Sequence, residues 1–306
     1  MEVVQAGGTV SGPTKSVRYG VVVLTMGNRP RELGRALDSL MSQTGVEMDV
    51  VVVVNSDRTV ETPHRVRVHG IGENIGIPAG RNVGAQLVAG DFIFFLDDDS
   101  WLPSVTFLAD VAARMEADAT LGMVQPRIID PDRRGDEPTR WIPRLRKGRP
   151  GRSSEVFSVL ETAIALPRET FDATGGWPSE FYYAHEGIEL AWRVWDTGRR
   201  VEYQADLHVA HPVVHTGRHK EFHYMNARNR VWLARRCLHW PFSWAYVLVW
   251  TLRHMIRNLP EHEDQVWWNG WMDGWTDKPW DGPTRPRKLR WSTIVTMTLH
   301  GRPPLV

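Results

Sequence analysis

The stretch FIFFLDDD, Phe92 to Asp99, places three consecutive carboxylates directly after five apolar residues. FIFFL contains no polar side chain, so it has the pattern of a strand that is covered on both faces in a parallel sheet. Ligands of open α/β sheets bind beyond the carboxyl ends of the strands. This stretch therefore predicts an acidic ligand site at the edge of a parallel sheet.

The three acids, Asp97, Asp98 and Asp99, indicate the chemistry of this site. Like charges within one turn raise one another's pKa, so such a cluster persists when a cation or hydrogen-bond donors neutralise it. Carboxylate oxygens suit Mg²⁺ or Mn²⁺, and these ions in turn bind diphosphates. The alternative is a solvated acidic turn before a helix that begins near Ser100 or Pro103, because acids are favoured at helix amino ends.

The segments before this stretch alternate between strand and helix patterns. β-branched residues predict strands at Tyr19–Thr25 and Met48–Val54, and a short third strand at Arg65–His69. Apolar residues at helical spacing predict a helix over Pro30–Gln43, and another follows over Ala79–Val88. This succession implies right-handed crossovers and an α/β fold with a mostly parallel central sheet flanked by helices.

A glycine-rich stretch, ENIGIPAGRNVG at residues 73–84, lies between the third strand and the second helix. Its glycines permit close approach of the backbone to a ligand, and Asn74 supplies an amide donor. Arg81 adds a fixed cation that faces the same edge of the sheet. The alternative is a loop that packs tightly on a strand, but the acidic strand end that follows favours a binding site.

The composition is that of an ordinary globular protein of 306 residues with 42% apolar content. The 37 basic and 36 acidic residues nearly balance, which argues against a nucleic-acid partner. The single cysteine, Cys237, has apolar neighbours and indicates a buried structural thiol in a reducing cytoplasm. Residues 1–16 have no secretion signal pattern and are predicted to be a flexible tail.

A second informative stretch is GGWPSEFYYAHEGIELAWR, residues 175–193. Its two glycines predict a turn that exposes Trp177, which suits stacking on a sugar or packing of the loop. Glu186, Glu189 and Arg193 then fall on one helix face, because they are three and four residues apart. The alternative for Glu189 and Arg193 is a surface ion pair worth about 0.3–0.5 kcal/mol.

Three ordered stretches resemble the inverting family 2 glycosyltransferases of the GT-A fold, especially bacterial rhamnosyl- and galactofuranosyltransferase-like members. They are VVVLTMGNRPRELGRALDSLMSQ, ENIGIPAGRNVGAQLVAGDFIFFLDDDSWL and GGWPSEFYYAHEGIELAWRV, within a resemblance that covers residues 18–235. The resemblance implies a GT-A fold and a metal-dependent enzyme that moves a sugar from a UDP- or dTDP-sugar to an acceptor hydroxyl. The implied acceptors are a cell-envelope glycan, a lipid-linked saccharide or a glycosylated metabolite.

The resemblance also assigns a metal site. Asp97 and Asp99 match the motif that binds the divalent ion, and His215 of VVHTGR matches its third ligand. A histidine ligand favours Mn²⁺ over Mg²⁺. The other histidines of the stretch HVAHPVVHTGRHKEFHY, residues 208–224, are expected in packing or at the surface.

The donor-binding residues follow from the same resemblance. The family usually has an Asp at the end of the second strand, where this chain has Val54 and Asn55, so Asn55 or Asp57 is expected to take that part. The alternative for these residues is an ordinary turn. The predicted donor-binding residues are Thr25, Arg29, Asn55, Asp57, Asn74, Arg81, Asp97 and Asp98.

An inverting transfer needs a carboxylate that takes the proton of the acceptor hydroxyl during attack. The family has Glu-Asp-x-Asp-Leu-x-x-Arg here, with the second acid as base, but this chain has Gly187 at that position. Glu186 is therefore predicted as the base, with Glu189 as the second candidate. The residues predicted to bind the acceptor are Trp177, Tyr182 and Arg193.

The chain changes character near Tyr224, after which arginine and tryptophan are abundant. This predicts a catalytic domain over residues 17–223, with a nucleotide-sugar half to about residue 130 and an acceptor half after it. A helical, aromatic extension is predicted over residues 224–306. Within it, Trp267–Pro286 contains many turn residues and is predicted to be a lid or an extension rather than a long helix.

Residues 232–257 have the tryptophan and arginine content of an interfacial amphipathic helix. Their apolar segment is shorter than the ~20 residues that span a bilayer. We therefore expect peripheral contact with the inner face of the cell membrane or packing on the catalytic domain. The aromatic residues also suit an acceptor groove or a homo-oligomer interface.

Two other classes of protein stay open at this stage. Acids after a strand also resemble the site of Mg²⁺-dependent phosphatases, although Ser100-Trp101 follows here where those enzymes have a small Gly-Thr-like continuation. Gly187, at the position of the expected base, motivates a non-catalytic nucleotide-sugar-binding protein.

Overall fold

Strands and helices alternate along the first half of the chain, and helices dominate its end. The computed structural model describes residues 16–132, 138, 141–143, 149–213, 221–256, 261–300 and 303–304. In chain order the elements are β1 (Arg18–Thr25), α1 (Pro30–Met41), β2 (Glu47–Val54), β3 (Arg67–Gly70), α2 (Ile77–Leu87), β4 (Phe92–Asp97), α3 (Phe107–Ala117), β5 (Leu121–Ile129), β6 (Ser154–Glu155), β7 (Ala163–Pro167), α4 (Arg168–Thr174), α5 (Glu186–Asp196), β8 (Arg200–Ala210), α6 (Phe222–Cys237), α7 (Phe242–Met255), α8 (Glu261–Thr276) and α9 (Trp291–Leu299).

The strands form an eight-stranded sheet in the order β3-β2-β1-β4-β7-β5-β8-β6. Strand β1 lies between β2 and β4, and these pairings and that of β2 with β3 are parallel. Strand β7 runs antiparallel to β4 and β5, β5 and β8 are parallel, and β6 is antiparallel to β8. The predicted α/β fold with a mostly parallel central sheet is confirmed.

The elements predicted before the acids are present, with ends that differ by one or two residues. The helix expected near Ser100 or Pro103 instead begins at Phe107. The reason is that Trp101 pairs with Ala210 in an isolated bridge, which keeps the chain extended after the acids. The acids therefore do not cap that helix.

Alternating side chains divide the core into two hydrophobic clusters, one on each face of the sheet. In β4, Phe94 belongs to the cluster that includes Leu37 of α1, whereas Ile93 and Phe95 belong to the cluster that includes Leu190 of α5. Strand β4 is thus covered on both faces, as its sequence predicts. This burial holds the strand ends that carry the acids at a defined place.

The carboxyl-terminal helices share a core with the sheet. Val231, Tyr246 and Met297, from α6, α7 and α9, belong to the same cluster as Leu190. Cys237 is buried, as predicted, and burial raises the pKa of its thiol to about 12. Within the described part of the chain, no helix has the length and apolar character to cross a membrane. The predicted domain division stays a prediction, and residues 1–15 of the predicted tail lie outside the described residues.

Helix α8 contradicts the prediction that the turn residues of Trp267–Pro286 exclude a long helix, because this segment is helical up to Thr276. Residues Glu261–Thr276 form a helix despite Gly270 and Gly274. These glycines face α6: a Cβ at Gly270 would overlap the carbonyl oxygen of Tyr224, and one at Gly274 would lie 2.7 Å from Cβ of Val231. Close packing of the two helices therefore outweighs the low helix propensity of glycine.

We expect Gly270→Ala to lower the free energy of unfolding by about 1–3 kcal/mol, because the added methyl group would force α8 away from α6. The matched control is Gly34→Ala in α1, where nothing lies within 4 Å of the added Cβ. That change should raise the stability by about 0.5–1 kcal/mol. Chemical denaturation of both variants measures the difference, and equal effects would contradict the close packing.

Candidate functional site

The carboxyl ends of β1, β2 and β4 meet at a cavity of about 650 Å³, which we call the acid cavity. Thr25 ends β1, Asn55 directly follows β2, and Asp97 ends β4. The acid cavity is lined by Leu24, Thr25, Met26, Asn28, Arg29, Asn55, Asn74, Gly76, Ile77, Asp97, Asp98, Asp99, Tyr182, Tyr183 and His211. The parallel arrangement thus brings together residues that lie far apart in the sequence.

The three acids contact polar or cationic groups from other parts of the chain. Thr25 Oγ1 donates a 2.6 Å hydrogen bond to Asp98 Oδ2, and Arg81 Nη2 donates a 2.8 Å bond to Asp97 Oδ1. The guanidinium of Arg29 forms an ion pair with Asp99 Oδ2 and lies 3.5 Å from Asp98 Oδ1. Of the predicted donor-binding residues, Arg29 and Arg81 therefore offset the charge of the acids, and Thr25 adds a hydrogen bond.

The acids differ in pKa because their surroundings differ. Burial is the main cause that raises the pKa of Asp98 to about 6, and it also raises the pKa of Asp97. Burial acts on Asp99 in the same direction, but the hydrogen bond and charge of His211 and the charge of Arg29 lower its pKa overall. Asp99 is therefore the acid whose ionised form is best stabilised.

A set of donors for a divalent metal lies in the acid cavity. Asp97, Asp99 and His211 each offer one ligand atom, and these atoms lie within 4.8 Å of one another. His211 Nδ1 is buried and has no hydrogen-bond partner among the described residues, while Nε2 lies 3.2 Å from Asp99 Oδ1. Two carboxylates and an imidazole fit an ion such as Mn²⁺.

His211 was assigned by the sequence to packing or to the surface, and its place among the acids corrects that assignment. It directly follows the last residue of β8, whose Ala210 pairs with Trp101 just beyond the acids. The signal in the sequence is its position, since a polar residue after a strand lies at the same edge as the acids. His215, the predicted third ligand, lies outside the described residues.

Asn55 and Asp57 differ in position. Asn55 is buried: its Nδ2 donates to Asn74 Oδ1 at 3.0 Å, and its Oδ1 accepts from the backbone of Ile75 at 3.0 Å. It therefore holds the loop around Asn74 against the acid cavity. Asp57 is exposed and is absent from the cavity lining. Of the two, Asn55 is the one that borders the acid cavity.

Tyr182 lines the acid cavity from a loop with unusual backbone conformation. Tyr182, Ala184 and His185 have φ angles of 63°, 69° and 71°, a region that is costly for residues other than glycine. Asn229 Nδ2, from α6, donates to the carbonyl oxygens of Phe181, Tyr183 and Ala184 at 2.9, 2.6 and 2.9 Å. The sequence did not single out Asn229, which ties this loop to the carboxyl-terminal helices.

Trp177 is buried, so the ring is not exposed as expected at this turn, and the alternative of loop packing agrees with the structure. Its ring lies edge-on to Phe95 with a centroid distance of 5.3 Å, and the guanidinium of Arg81 lies 4.7 Å from its centroid. Asn82 Oδ1 accepts a 2.9 Å hydrogen bond from its backbone. Trp177 therefore packs beneath Arg81 instead of presenting a face to an acceptor.

Glu189 and Arg193 form a buried network, not a surface ion pair. Arg193 Nη2 lies 3.1 Å from Glu189 Oε1, and Arg236 Nε of α6 lies 2.7 Å from Oε2. Burial opposes ionisation of Glu189, but the two arginines lower its pKa overall. All three border a second cavity of about 910 Å³ that shares no lining residue with the acid cavity. Glu189 is therefore engaged at both oxygens and lies apart from the acids.

Glu186 is buried at the first residue of α5, beside an acid that the sequence analysis missed. Glu161 Oε1 accepts a 2.8 Å hydrogen bond from the backbone of Gly187. Burial, followed by the charge of Glu161, raises the pKa of Glu186 to about 8. Glu161 precedes β7, and the antiparallel pairing of β7 with β4 brings it to the edge where the acids lie. Detecting Glu161 from the sequence would have required knowing that β7 runs antiparallel to β4.

The α/β fold is the GT-A fold, as predicted. The chain belongs to glycosyl transferase family 2, which residues 21–175, half of the chain, match. Both the resemblance and the fold drawn from the sequence are thereby confirmed at the level of the family. The narrower similarity to rhamnosyl- and galactofuranosyltransferases stays a prediction.

Two relatives match part of this chain. It is 28% identical over 211 residues to the Pre-mycofactocin glycosyltransferase of Mycobacterium tuberculosis (strain ATCC 25618 / H37Rv), in a match that covers 66% of this chain and 44% of that protein. It is 28% identical over 112 residues to Glycosyltransferase GlyA of Streptococcus pneumoniae serotype 4, covering 33% of this chain and 16% of that protein. The chain thus spans less than half the length of these relatives.

Solved structures share the fold. S. aureus TarS 1-349 in complex with UDP-GlcNAc has a TM-score of 0.59 at 16% identity, with 84% of this chain and 81% of that chain covered. The mannosyltransferase PcManGT from Pyrobaculum calidifontis, in complex with GDP-Man and Mn²⁺, has a TM-score of 0.55 at 17% identity, with 89% of each chain covered. At these identities the similarity shows the fold alone.

The raised pKa of Glu186 predicts a pH-dependent contribution to stability. The folded protein holds a proton on this side chain that the unfolded chain releases, so the free energy of unfolding should fall as pH rises from about 4.5 to about 8. Glu186→Gln lacks this contribution and should gain stability relative to the wild type over that range. If the free energies of unfolding of the wild type and of Glu186→Gln change in parallel with pH, Glu186 is not protonated in the folded protein. Glu169→Gln, which removes an exposed carboxylate of α4, is the matched control.

Proposed function

We propose that the protein is a metal-dependent inverting glycosyltransferase that moves a sugar from a UDP- or dTDP-sugar to an acceptor hydroxyl. The observation that carries this proposal is the acid cavity, in which two strand-end carboxylates and His211 form a donor set for a divalent ion. Family membership favours transfer over the phosphatase alternative. The names of the relatives, both glycosyltransferases, support the same class of reaction.

The donor diphosphate would bind through a divalent ion, for which we propose Mn²⁺, with Mg²⁺ as the alternative. Asp97, Asp99 and His211 would hold the ion, which supplies positive charge to the leaving diphosphate. Arg29 is partly exposed beside Asp98 and Asp99, so its guanidinium can contact a phosphate that enters the acid cavity. Asn55 and Asn74 border the same cavity and are proposed to lie by the nucleotide.

The acceptor would approach the side of the acid cavity that Tyr182 lines. A carboxylate at the amino end of α5 would take its proton, and Glu186 and Glu161 are the two acids found there. We propose a cell-envelope glycan, a lipid-linked saccharide or a glycosylated metabolite as the acceptor, and the cytoplasm as the location. A non-catalytic nucleotide-sugar-binding protein is the second candidate, since Gly187 leaves the usual base position without a side chain.

We expect calorimetry with UDP, dTDP, GDP and CDP to find Mn²⁺-dependent binding of UDP or dTDP. Asp99→Ala should abolish it, and His211→Ala should weaken it by at least about tenfold, because both remove a direct ligand of the ion. The matched control is His208→Ala, an exposed histidine three residues before His211 on β8, which should bind like the wild type. Binding without Mn²⁺ that survives Asp99→Ala would contradict the proposed site.

Helices α7 and α9 present an exposed apolar surface that supports peripheral membrane contact. Trp244, Leu248 and Leu252 are exposed at four-residue spacing on α7, and Trp291, Val295 and Leu299 repeat that spacing on α9. The rings of Phe242 and Trp291 lie 5.8 Å apart, so the amino ends of the two helices adjoin. Neither helix contains an Asp or Glu. Arg253 of α7 is an exposed cation, and the exposed Arg287 and Arg290 before α9 pair with Asp196.

This combination of apolar side chains, cations and an absence of acids in both helices is complementary to an anionic bilayer surface. We therefore propose that the surface lies on the inner face of the cell membrane, where a lipid-linked acceptor would be found. A second copy of the chain is the alternative occupant, as the predicted homo-oligomer would require.

We expect the double change Leu248→Glu and Leu252→Glu to weaken binding to phosphatidylglycerol-containing vesicles by tenfold or more. Burial of one leucine side chain contributes about 1.5–3 kcal/mol, and 1.4 kcal/mol corresponds to a factor of ten. Val105→Glu, a similarly exposed position before α3, is the control that should bind like the wild type. Vesicle sedimentation measures binding. If the wild type does not bind vesicles but forms a dimer in ultracentrifugation that the double change abolishes, the occupant is a second copy of the chain.

A further inference from the structure

Gly187 is the second residue of α5, and Glu161 fills the space that a side chain there would occupy. A Cβ at Gly187 would lie 2.7 Å from Cδ and 2.8 Å from Cγ of Glu161, and closer still to Oε1. Oε1 also accepts a 2.8 Å hydrogen bond from the backbone of Gly187. A carboxylate is thus present at this position of the fold, although it comes from the segment before β7.

Glu161 is directly connected to the acid cavity through the backbone. Its carbonyl oxygen accepts a 2.9 Å hydrogen bond from Arg81 Nη2, the same atom that donates to Asp97. The carbonyl oxygen of the next residue, Thr162, accepts a 2.9 Å hydrogen bond from the backbone of Asp97. The side chain of Glu161 therefore projects from a segment that is fixed to one of the acids.

The surroundings of Glu161 contain buried polar atoms that the described residues leave without partners. These atoms are Glu186 Oε2 and Arg81 Nη1, and both side chains belong to residues that are 3% exposed. An unsatisfied buried polar group costs about 1–3 kcal/mol, so such groups together indicate a place prepared for a polar ligand atom. Glu161 itself is half-buried, whereas Glu186 is buried. As a residue, Glu161 is therefore the less enclosed of the two.

We propose that Glu161 is the general base of the transfer, in place of the side chain that Gly187 lacks. The inference rests on the proposed function. In the step, the carboxylate of Glu161 takes the proton of the acceptor hydroxyl while the acceptor oxygen bonds to the anomeric carbon. The bond from that carbon to the diphosphate oxygen breaks, and its electron pair leaves with the nucleoside diphosphate.

Glu186 supports this assignment as the neighbour of the base. Two carboxylates that share a buried site do not both ionise readily, so the pair retains a proton. Burial, followed by the charge of the adjacent acid, raises the pKa of Glu186 to about 8 and favours its protonated form at neutral pH. Burial raises the pKa of Glu161 as well, and the positive charge of Arg81 opposes that shift.

A structural role for Glu161 has to be separated from this catalytic one. The carboxylate caps the amino end of α5, where His185 makes no side-chain cap. Glu161→Gln retains an oxygen that can accept the hydrogen bond from Gly187, but it cannot take a proton. This variant therefore keeps the cap and removes the base.

The experiment measures nucleoside diphosphate release from UDP- and dTDP-sugars with Mn²⁺ and alkyl glycosides as acceptors. It compares the wild type, Glu161→Gln, Glu161→Ala, and the exchange Glu161→Ala with Gly187→Asp, with Glu169→Gln as the surface control. We expect Glu161→Gln to lower kcat by about 10²–10⁴-fold while its Tm and nucleotide affinity stay at wild-type values. The exchange variant should recover at least tenfold over Glu161→Ala, because it returns a carboxylate to the same space.

Wild-type kcat in Glu161→Gln would overturn the assignment, and a lower Tm in Glu161→Ala alone would then identify Glu161 as a structural cap. An inactive Glu186→Gln beside an active Glu161→Gln would instead make Glu186 the base. Calorimetry of the wild type distinguishes these outcomes from failure of the proposed function. Absence of nucleotide binding would overturn that function, whereas binding with normal transfer by Glu161→Gln would overturn the role of Glu161 alone.

Discussion

A buried cation, Arg81, is the group on which the arrangement of the site depends. Its guanidinium lies over the ring of Trp177, donates to Asp97 and donates to the backbone of Glu161. Three acids at the end of one strand would repel one another, and their burial would penalise ionisation. Arg81 offsets part of that cost. Arg29 and Thr25, which line the acid cavity, offset a further part. The ionised form of the acid cluster therefore depends on cations that come from other parts of the sequence.

The carboxyl-terminal helices are part of this support and not an appendage. Asn229 of α6 donates to three carbonyl groups of the strained loop that carries Tyr182, and Arg236 of the same helix binds Glu189 of α5. The loop would otherwise relax, because left-handed conformations are unfavourable for Tyr, Ala and His. A hydrophobic cluster common to the sheet and these helices provides the rigidity that the polar contacts need.

The first half of the fold was predictable because local patterns decide it. β-branched runs, helical spacing and the acids after β4 all agree with the structure to within one or two residues at each end. Prediction failed where a tertiary contact outweighs local preference. Gly270 and Gly274 suggest turns, yet close packing against α6 makes them helical. Trp177 follows two glycines that suggest an exposed turn, yet Arg81 and Phe95 enclose its ring. His211 and Glu161 were missed because strand order and direction bring them to the acids.

The sequence by itself determined the class of fold, the family and the acidic strand end, since each is written in residues that are neighbours along the chain. Tertiary structure alone decided which groups surround the acids. Glu189, on the same helix face as Glu186, is held by Arg193 and Arg236 beside another cavity, whereas Glu161 lies against Gly187. Charges act through space and burial, so the partners of a carboxylate follow from the packing of strands and helices and not from spacing along the chain.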